Sequence, residues 1–96
     1  LENIRGLEQT VLLRRLGSGF EGHPNCLKLP GLEFSSGSLG QGLGVAIGSA
    51  LDARLRGKDY RVYCLMGDGE QDEGSIWEGV MCAAHYELGN LVGIID

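Results

Sequence analysis

Apolar residues recur along this chain with two different periods, which predicts both helices and strands. In residues 1–16 they lie three or four positions apart, as on one face of an amphipathic helix, and Gly17 and Gly19 end the pattern. Residues 20–36 show no clear period and contain both prolines, so we expect a loop with a short extended piece at residues 32–34.

A second helix is predicted over residues 38–56, where leucine, isoleucine and alanine recur at helical spacing. Ser38 is the expected N-cap, and Gly57 is expected just past the helix end, with Arg54 and Arg56 in the last turn. The interior is rich in glycine, and each such glycine costs about 1 kcal/mol relative to alanine. We therefore expect this bare surface to meet a ligand or another backbone at close range.

The last third of the chain predicts a strand, a helix and a second strand. "RVYCLM" at residues 61–66 is almost continuously apolar, which is typical of a strand covered on both faces. A helix follows at residues 75–86, and "LVGII" at residues 91–95 predicts the second strand. The helix is expected to bury Ile76, Trp77, Val80, Met81, Ala83 and Ala84. Strand, helix and strand in this order form a βαβ unit with parallel strands.

The fold class is therefore α/β with a parallel sheet, and the sheet is incomplete. Two parallel strands with these few helices are too few for an independent domain of this class. We expect residues 1–96 to be part of one domain that is truncated at both ends.

Composition excludes several classes of protein. The 96 residues carry a formal net charge of −5, which disfavours nucleic acid as a partner because phosphate contacts need clustered Lys and Arg. Neither an apolar run of membrane length nor a signal-peptide pattern is present. The three cysteines, Cys26, Cys64 and Cys82, lack CxxC spacing, so we expect buried free thiols and a reducing, cytoplasmic setting.

Four acidic residues follow the first predicted strand in "GDGEQDEG": Asp68, Glu70, Asp72 and Glu73. Ligands of open parallel sheets lie at the carboxyl ends of strands, and Asp68 there could give an oxygen to Mg²⁺ or Ca²⁺ that also binds a phosphate. A plain turn is the alternative, because Asp-Gly is a common turn dipeptide. Glu70 and Asp72 are interpreted as first-turn helix residues that the helix dipole favours.

Two joined motifs carry a resemblance to a known family. "GDGEQDEGSIWEGVMCAAHYELGNLVGIID" resembles the thiamine-diphosphate fingerprint, which opens with GDG after a strand and closes with an asparagine beyond the next one. "GHPNCLKLPGLEFSSGSLGQG" resembles the transketolase family, in which a GHP segment precedes a GSLGQG-type loop. The resemblance covers residues 16–96 and implies a parallel-sheet thiamine-diphosphate-binding fold, here part of its diphosphate-binding domain.

The resemblance also implies residues that bind the cofactor. Asp68 would ligate the divalent cation, Mg²⁺ or Ca²⁺, that bridges the two phosphates, and Gly69 would approach the diphosphate through its backbone. Gly37 and Leu39 match positions that contact the cofactor. A second ligand, an asparagine, is expected about two residues after Asp96.

Two further residues match catalytic positions of the family. His23 would line the substrate channel and help to hold or deprotonate a hydroxyl of the sugar, a task that suits a histidine side chain. Beside Pro24 in a loop, it could instead be an ordinary hydrogen-bonded structural histidine. Glu73 matches an acidic residue near the subunit interface that helps to link paired active sites.

The implied activity is transfer of a two-carbon ketol unit from a ketose phosphate to an aldose, within carbohydrate metabolism and the pentose phosphate pathway. It needs a carboxyl-terminal pyrimidine-binding domain or subunit, in a homodimer or heterotetramer, so these residues alone should be inactive. Deoxyxylulose-phosphate synthase and the first component of 2-oxoacid dehydrogenases are alternatives, although the GHP and SSGSLGQG segments speak against them. A non-catalytic remnant also stays open. A dinucleotide-binding loop is disfavoured, because GSLGQGLG does not match GxGxxG.

Overall fold

The computed structural model of the chain describes residues 11–96, which form two compact units divided after Gly37. Most of the helix predicted for residues 1–16 lies outside the described residues. Residues 11–16 form a short 3₁₀ segment and turns instead of α-helix. Arg14 has φ 62°, a value that right-handed helices do not contain, so an α-helix cannot run through to residue 16.

Within the first unit, residues 20–37 form a loop that two hydrogen bonds close. The N–H of Ser36 donates to the carbonyl of Pro24 at 3.2 Å, and the N–H of Cys26 donates to Ser35 Oγ at 3.0 Å. The extended piece predicted at residues 32–34 does not form a strand. The loop prediction itself is confirmed, because turns and bends occupy the segment.

The second unit holds the regular elements in the order α1 (Gln41–Leu55), β1 (Val62–Met66), a 3₁₀ helix (Gly69–Asp72), α2 (Gly74–His85) and β2 (Leu91–Ile95). The strands pair in parallel, with the register running from Val62 opposite Leu91 to Met66 opposite Ile95. The predicted βαβ unit is therefore confirmed, and the 3₁₀ helix is the element that sequence patterns missed.

The two ends of α1 differ in how well the sequence predicted them. At its carboxyl end, the N–H of Lys58 donates to the carbonyl of Ala53 at 2.8 Å. The N–H of Gly57 donates to the carbonyl of Arg54 at 3.1 Å. This pair of bonds is the Schellman motif, and it confirms Gly57 as the terminator. At the amino end the N-cap is Gly40 rather than Ser38, because the chain turns at Gly40 with φ 80° before the helix starts.

The core lies on one face of the two-stranded sheet. α1 packs against both strands and α2 packs on α1. The buried side chains of this cluster are Leu43, Ala46, Ile47, Ala50, Cys64, Met66, Ile76 and Leu88. On the other face of β1, Tyr63 and Leu65 are 63% and 70% exposed. The expectation of a strand covered on both faces is thus wrong for residues 11–96, in which helices cover one face alone.

Helix α2 buries much less than its sequence pattern predicts. Of the six residues expected in its buried stripe only Ile76 is buried, while Trp77 and Met81 are 58% and 66% exposed. α2 packs on α1, and the two helices meet closely at Gly79, where an added Cβ would lie 2.9 Å from Leu43 Cδ2. Neither α1 nor α2, the helices of residues 11–96, has the length and apolar character needed to cross a membrane.

The glycines of α1 do not make the close approach expected of them within the described chain. A Cβ added to Gly44 or Gly48 would meet no atom within 4 Å. Gly79 of α2 is closely approached instead, but by the Leu43 and Ile47 side chains rather than by another backbone. The thiols are free, as expected, but only Cys64 is buried and Cys26 is exposed.

Candidate functional site

The pairing of the two strands continues past their carboxyl ends and creates the candidate site. The N–H of Asp96 donates to the carbonyl of Met66 at 3.0 Å, and the N–H of Asp68 donates to the carbonyl of Asp96 at 2.9 Å. Asp68 and Asp96 therefore lie side by side at the carboxyl edge of the sheet, where open parallel sheets bind ligands.

Asp68 lies at this edge with an exposed carboxylate. Its Oδ1 accepts the N–H of Gly69 at 2.7 Å, so that Asp68 caps the 3₁₀ helix. Its Oδ2 accepts no hydrogen bond from residues 11–96. A Cβ added to Gly67 or Gly69 would meet no atom of residues 11–96 within 4 Å. The turn thus offers one uncommitted carboxylate oxygen with open space around it.

This donor set fits a divalent cation that arrives together with a phosphate group. Among residues 11–96, no group of three or more His, Cys, Asp or Glu side chains is placed to hold a metal ion. Mg²⁺ commonly takes one or two carboxylates and completes its coordination with waters and substrate phosphates. One free carboxylate oxygen matches that pattern and does not match a cage built of protein ligands alone.

The glycine turn before α1 lies against the loop that joins the 3₁₀ helix to α2. Gly40 is buried with φ 80°, and a Cβ on it would lie 3.0 Å from Glu73 Cβ and collide with Ser75 Oγ. Ser75 Oγ also donates to the carbonyl of Gly40 at 3.3 Å. Only glycine satisfies both the left-handed backbone and this close approach. Leu39 precedes it with its side chain 54% exposed.

Glu70 is the residue of this site that sequence reasoning missed. Its Oε1 accepts the N–H of Gly40 at 2.7 Å and its Oε2 accepts the N–H of Gly67 at 3.2 Å. It therefore joins the turn before α1 to the turn after β1. The interpretation of Glu70 as an ordinary first-turn acid was therefore incomplete. Local periodicity cannot predict a contact between residues thirty positions apart in sequence.

Burial raises the pKa of the Cys64 thiol, and the negative charge of Glu70 raises that pKa further. Cys64 is buried on β1 just ahead of the turn. A thiol held protonated in this way behaves as a small apolar side chain, so we interpret Cys64 as a packing residue of the core.

Trp77 is tied to the same turn by two hydrogen bonds in series. Its Nε1 donates to the carbonyl of Gln71 at 3.0 Å, and Gln71 Nε2 donates to the carbonyl of Gly67 at 3.1 Å. An exposed indole attached to the turn that carries Asp68 makes Trp77 a natural fluorescence reporter of that turn.

In the first unit, the structure brings His23 and Gly37 together. The bond between Ser36 and Pro24 closes the loop, so that a Cβ on Gly37 would lie 2.6 Å from both Cγ and Nδ1 of His23. The imidazole thus lies directly over a glycine with φ 142°. The sequence named both residues but did not predict that they touch.

The last predicted residue, Glu73, is the N-cap of α2 in extended conformation, with an exposed side chain that makes no capping hydrogen bond. Within the second unit, the turns containing Leu39, the Asp68–Gly69 pair and Glu73 are thus all held together through Gly40 and Glu70. His23 and Gly37 form their own pair in the first unit.

Comparison with known families agrees with this geometry. Residues 4–96 match the family model described as transketolase, thiamine diphosphate binding domain. The chain is therefore part of an α/β thiamine-diphosphate-binding domain, as the resemblance carried by its joined motifs implied. It belongs to the transketolase family, and its matched region is the amino-terminal, cofactor-binding part.

Individual relatives support the same assignment. The chain is 49% identical over 89 residues to one subunit of the apulose-4-phosphate transketolase of Phocaeicola vulgatus, covering 93% of this chain and 31% of that protein. It is 52% identical over 85 residues to human transketolase-like protein 2, covering 88% of this chain and 13% of that protein. A crystal structure of a transketolase mutant from Pichia stipitis superposes with TM-score 0.76 at 35% identity, covering 93% of this chain and 15% of that one. The chain thus spans less than a third of these proteins.

Proposed function

We propose that this chain forms the diphosphate-binding half of a transketolase-like active site. The complete site would transfer a two-carbon ketol unit from a ketose phosphate to an aldose. The observation that carries the proposal is the exposed Asp68 carboxylate at the carboxyl edge of two parallel strands, with one oxygen uncommitted and open space over the flanking glycines.

Asp68 would hold the divalent cation, Mg²⁺ or Ca²⁺, and Gly37, Leu39 and Gly69 would lie against the cofactor. Because the chain carries a charge of −5, it needs this cation to accept a diphosphate. The N–H of Gly69 now donates to Asp68 Oδ1, so it can face a phosphate only if the carboxylate releases it. When bound, thiamine diphosphate supplies the electron sink for the ketol carbanion.

His23 would hold or deprotonate a hydroxyl of the sugar. Its exposed ring lies against Gly37, which restricts where the imidazole can turn. A histidine in a fixed position can exchange a proton with a hydroxyl that comes within hydrogen-bond reach. Glu73, exposed at the start of α2, would help to link paired active sites across a subunit interface.

A carboxyl-terminal pyrimidine-binding domain or subunit would complete the site, in a homodimer or a heterotetramer. The size of the relatives supports this, since the matched part is 31% of one and 13% of another. The first of these two relatives is named as a single subunit of its enzyme, which favours a split enzyme with a separate partner chain. The proposed setting is cytoplasmic carbohydrate metabolism.

The test is a ketol-transfer assay on the intact protein together with its carboxyl-terminal domain or subunit. A panel of ketose phosphate donors and aldose acceptors is supplied with thiamine diphosphate and Mg²⁺. We expect transfer that chelation of the metal abolishes and fresh Mg²⁺ restores. Absence of transfer across the whole panel, with cofactor shown to be bound, would contradict the proposal.

A further inference from the structure

Glu70 bridges the two turns that hold the cofactor-binding residues of the second unit. One carboxylate oxygen accepts the N–H of Gly40, at 2.7 Å, and the other accepts the N–H of Gly67, at 3.2 Å. Leu39 is the chain neighbour of Gly40, and Asp68 is the chain neighbour of Gly67. A single side chain therefore connects the backbone beside Leu39 to the backbone beside Asp68.

The bridge is stronger than a neutral one would be. Both bonds are donated to an ionised carboxylate, and such charge-assisted bonds are roughly twice as strong as neutral ones. Gly40 is the N-cap of α1 and has no side chain to make a capping bond, and Glu70 accepts the N–H of Gly40 from another element, as the glutamate of a capping box does. Its negative charge also lies at the amino end of α1, where the helix dipole favours it.

Because both oxygens of Glu70 are engaged by backbone N–H groups, its carboxylate is not directed at the open space over Asp68. With both oxygens bound by backbone N–H groups, Glu70 can lie close to the site and act through the turns that it holds.

We propose that Glu70 is a positioning residue for thiamine diphosphate, which fixes the turn beside Leu39 relative to the turn beside Asp68 without touching the cofactor. The inference rests on the proposed function, because it presumes that both turns contact the diphosphate. It assigns Glu70 to cofactor affinity rather than to the ketol-transfer chemistry.

Three variants of the intact protein with its carboxyl-terminal partner test this role. Glu70→Gln keeps the shape but replaces one acceptor with a donor, and Glu70→Asp keeps the charge but is too short to reach both turns. Asp72→Asn removes the same charge from the same 3₁₀ helix, and the Asp72 side chain makes no hydrogen bond within residues 11–96. It is the matched control.

Affinity for thiamine diphosphate at saturating Mg²⁺ is measured together with kcat at saturating cofactor. For Glu70→Gln and Glu70→Asp we expect the Kd to rise about tenfold or more, as for loss of a bond to a charged group. The kcat of both should stay within about twofold of wild type, and Asp72→Asn should leave both quantities unchanged within about twofold. Hydrogen exchange in the cofactor-free protein should quicken at Gly40 and Gly67 in the Glu70 variants alone.

Wild-type affinity in both Glu70 variants would overturn the role, as would a fall in kcat at saturating cofactor with unchanged Kd. Wild-type affinity for thiamine diphosphate in Glu70→Asp alone would also overturn the positioning role. The affinity would then depend on the negative charge at position 70 and not on the bridge between the two turns. If wild-type protein binds no thiamine diphosphate, the proposed function fails first and the role of Glu70 falls with it. Should Glu70→Gln fail to fold by circular dichroism, Glu70→Asp carries the same comparison.

Discussion

The imidazole of His23 lies directly against Gly37, so closely that a Cβ at position 37 would be 2.6 Å from the ring. Backbone hydrogen bonding between Ser36 and Pro24 imposes this contact, because it brings the two ends of the loop together. The histidine of the GHP segment and the first glycine of the glycine loop, which look separate in sequence, are thus in contact. The position of the proposed catalytic histidine depends on a residue that has no side chain.

Replacing His23 with alanine should lower turnover much more than cofactor affinity. Loss of a positioned acid–base group costs about 10²–10⁴-fold in rate. The measurements are kcat and the Kd for thiamine diphosphate in the intact protein. His85→Ala, on the exposed end of α2, is the control and should match wild type. Unchanged kcat in His23→Ala would return His23 to a structural role.

Gly37→Ala should reproduce part of the loss of turnover expected for His23→Ala, although the histidine is still present. The added methyl cannot fit beneath the ring, so His23 must move, and φ 142° also strains any L-residue. We expect a lower kcat, and no further loss when Gly37→Ala is combined with His23→Ala. Additive effects of the two substitutions would show that Gly37 acts independently of the ring.

Gly79→Ala should destabilise the protein, because its methyl would press on Leu43 and Ile47 at 2.9 and 3.3 Å from their nearest side-chain carbons. Overpacking costs about 1–3 kcal/mol, partly offset by about 1 kcal/mol of helix propensity. Gly48→Ala, which meets nothing within 4 Å in the described chain, is the control and should raise the free energy of unfolding by up to about 1 kcal/mol. Denaturant titration of the intact protein measures both. Equal changes in the free energy of unfolding of the two variants would contradict the proposed overpacking at Gly79.

The raised pKa of Cys64 predicts a loss of stability at alkaline pH. The folded thiol keeps its proton where the unfolded thiol has released it. The contribution of the protonated Cys64 thiol to the free energy of unfolding is therefore fully present below the unfolded pKa of about 8.5. This contribution is lost as the pH rises through the higher folded pKa. Between pH 7 and 10, the free energy of unfolding should fall more steeply in wild type than in Cys64→Ala. Cys26→Ala, which removes an exposed thiol, should keep the wild-type slope. Parallel slopes in all three proteins would refute the assignment.

Local patterns were enough to predict the order of elements in the second unit. Both strands and both helices of this unit appear where apolar periodicity put them, and β2 matches its predicted bounds of residues 91–95. Gly57 was predicted correctly because a helix terminator acts through its immediate neighbours. The GDG turn likewise follows its strand directly, so the edge of the sheet could be located from sequence.

Long-range relationships could not be predicted in the same way. The apolar stripe of α2 says that Trp77 and Met81 are hydrophobic, but not that α2 meets α1 through Gly79 and leaves them exposed. The bridge made by Glu70 depends on a partner thirty positions away, and the contact of His23 with Gly37 depends on loop closure. Such features follow from tertiary packing and have no local periodicity.

The proposed cofactor site depends above all on Asp68 as the ligand of a divalent cation. The decisive measurement is calorimetric titration of thiamine diphosphate into intact wild-type and Asp68→Asn protein, with and without Mg²⁺, and with Asp72→Asn as the control. We predict tight binding that needs Mg²⁺ in wild type and in the control, and loss of the Mg²⁺-dependent part in Asp68→Asn. Binding in Asp68→Asn that keeps its full affinity and its full dependence on Mg²⁺ would show that Asp68 is not the metal ligand.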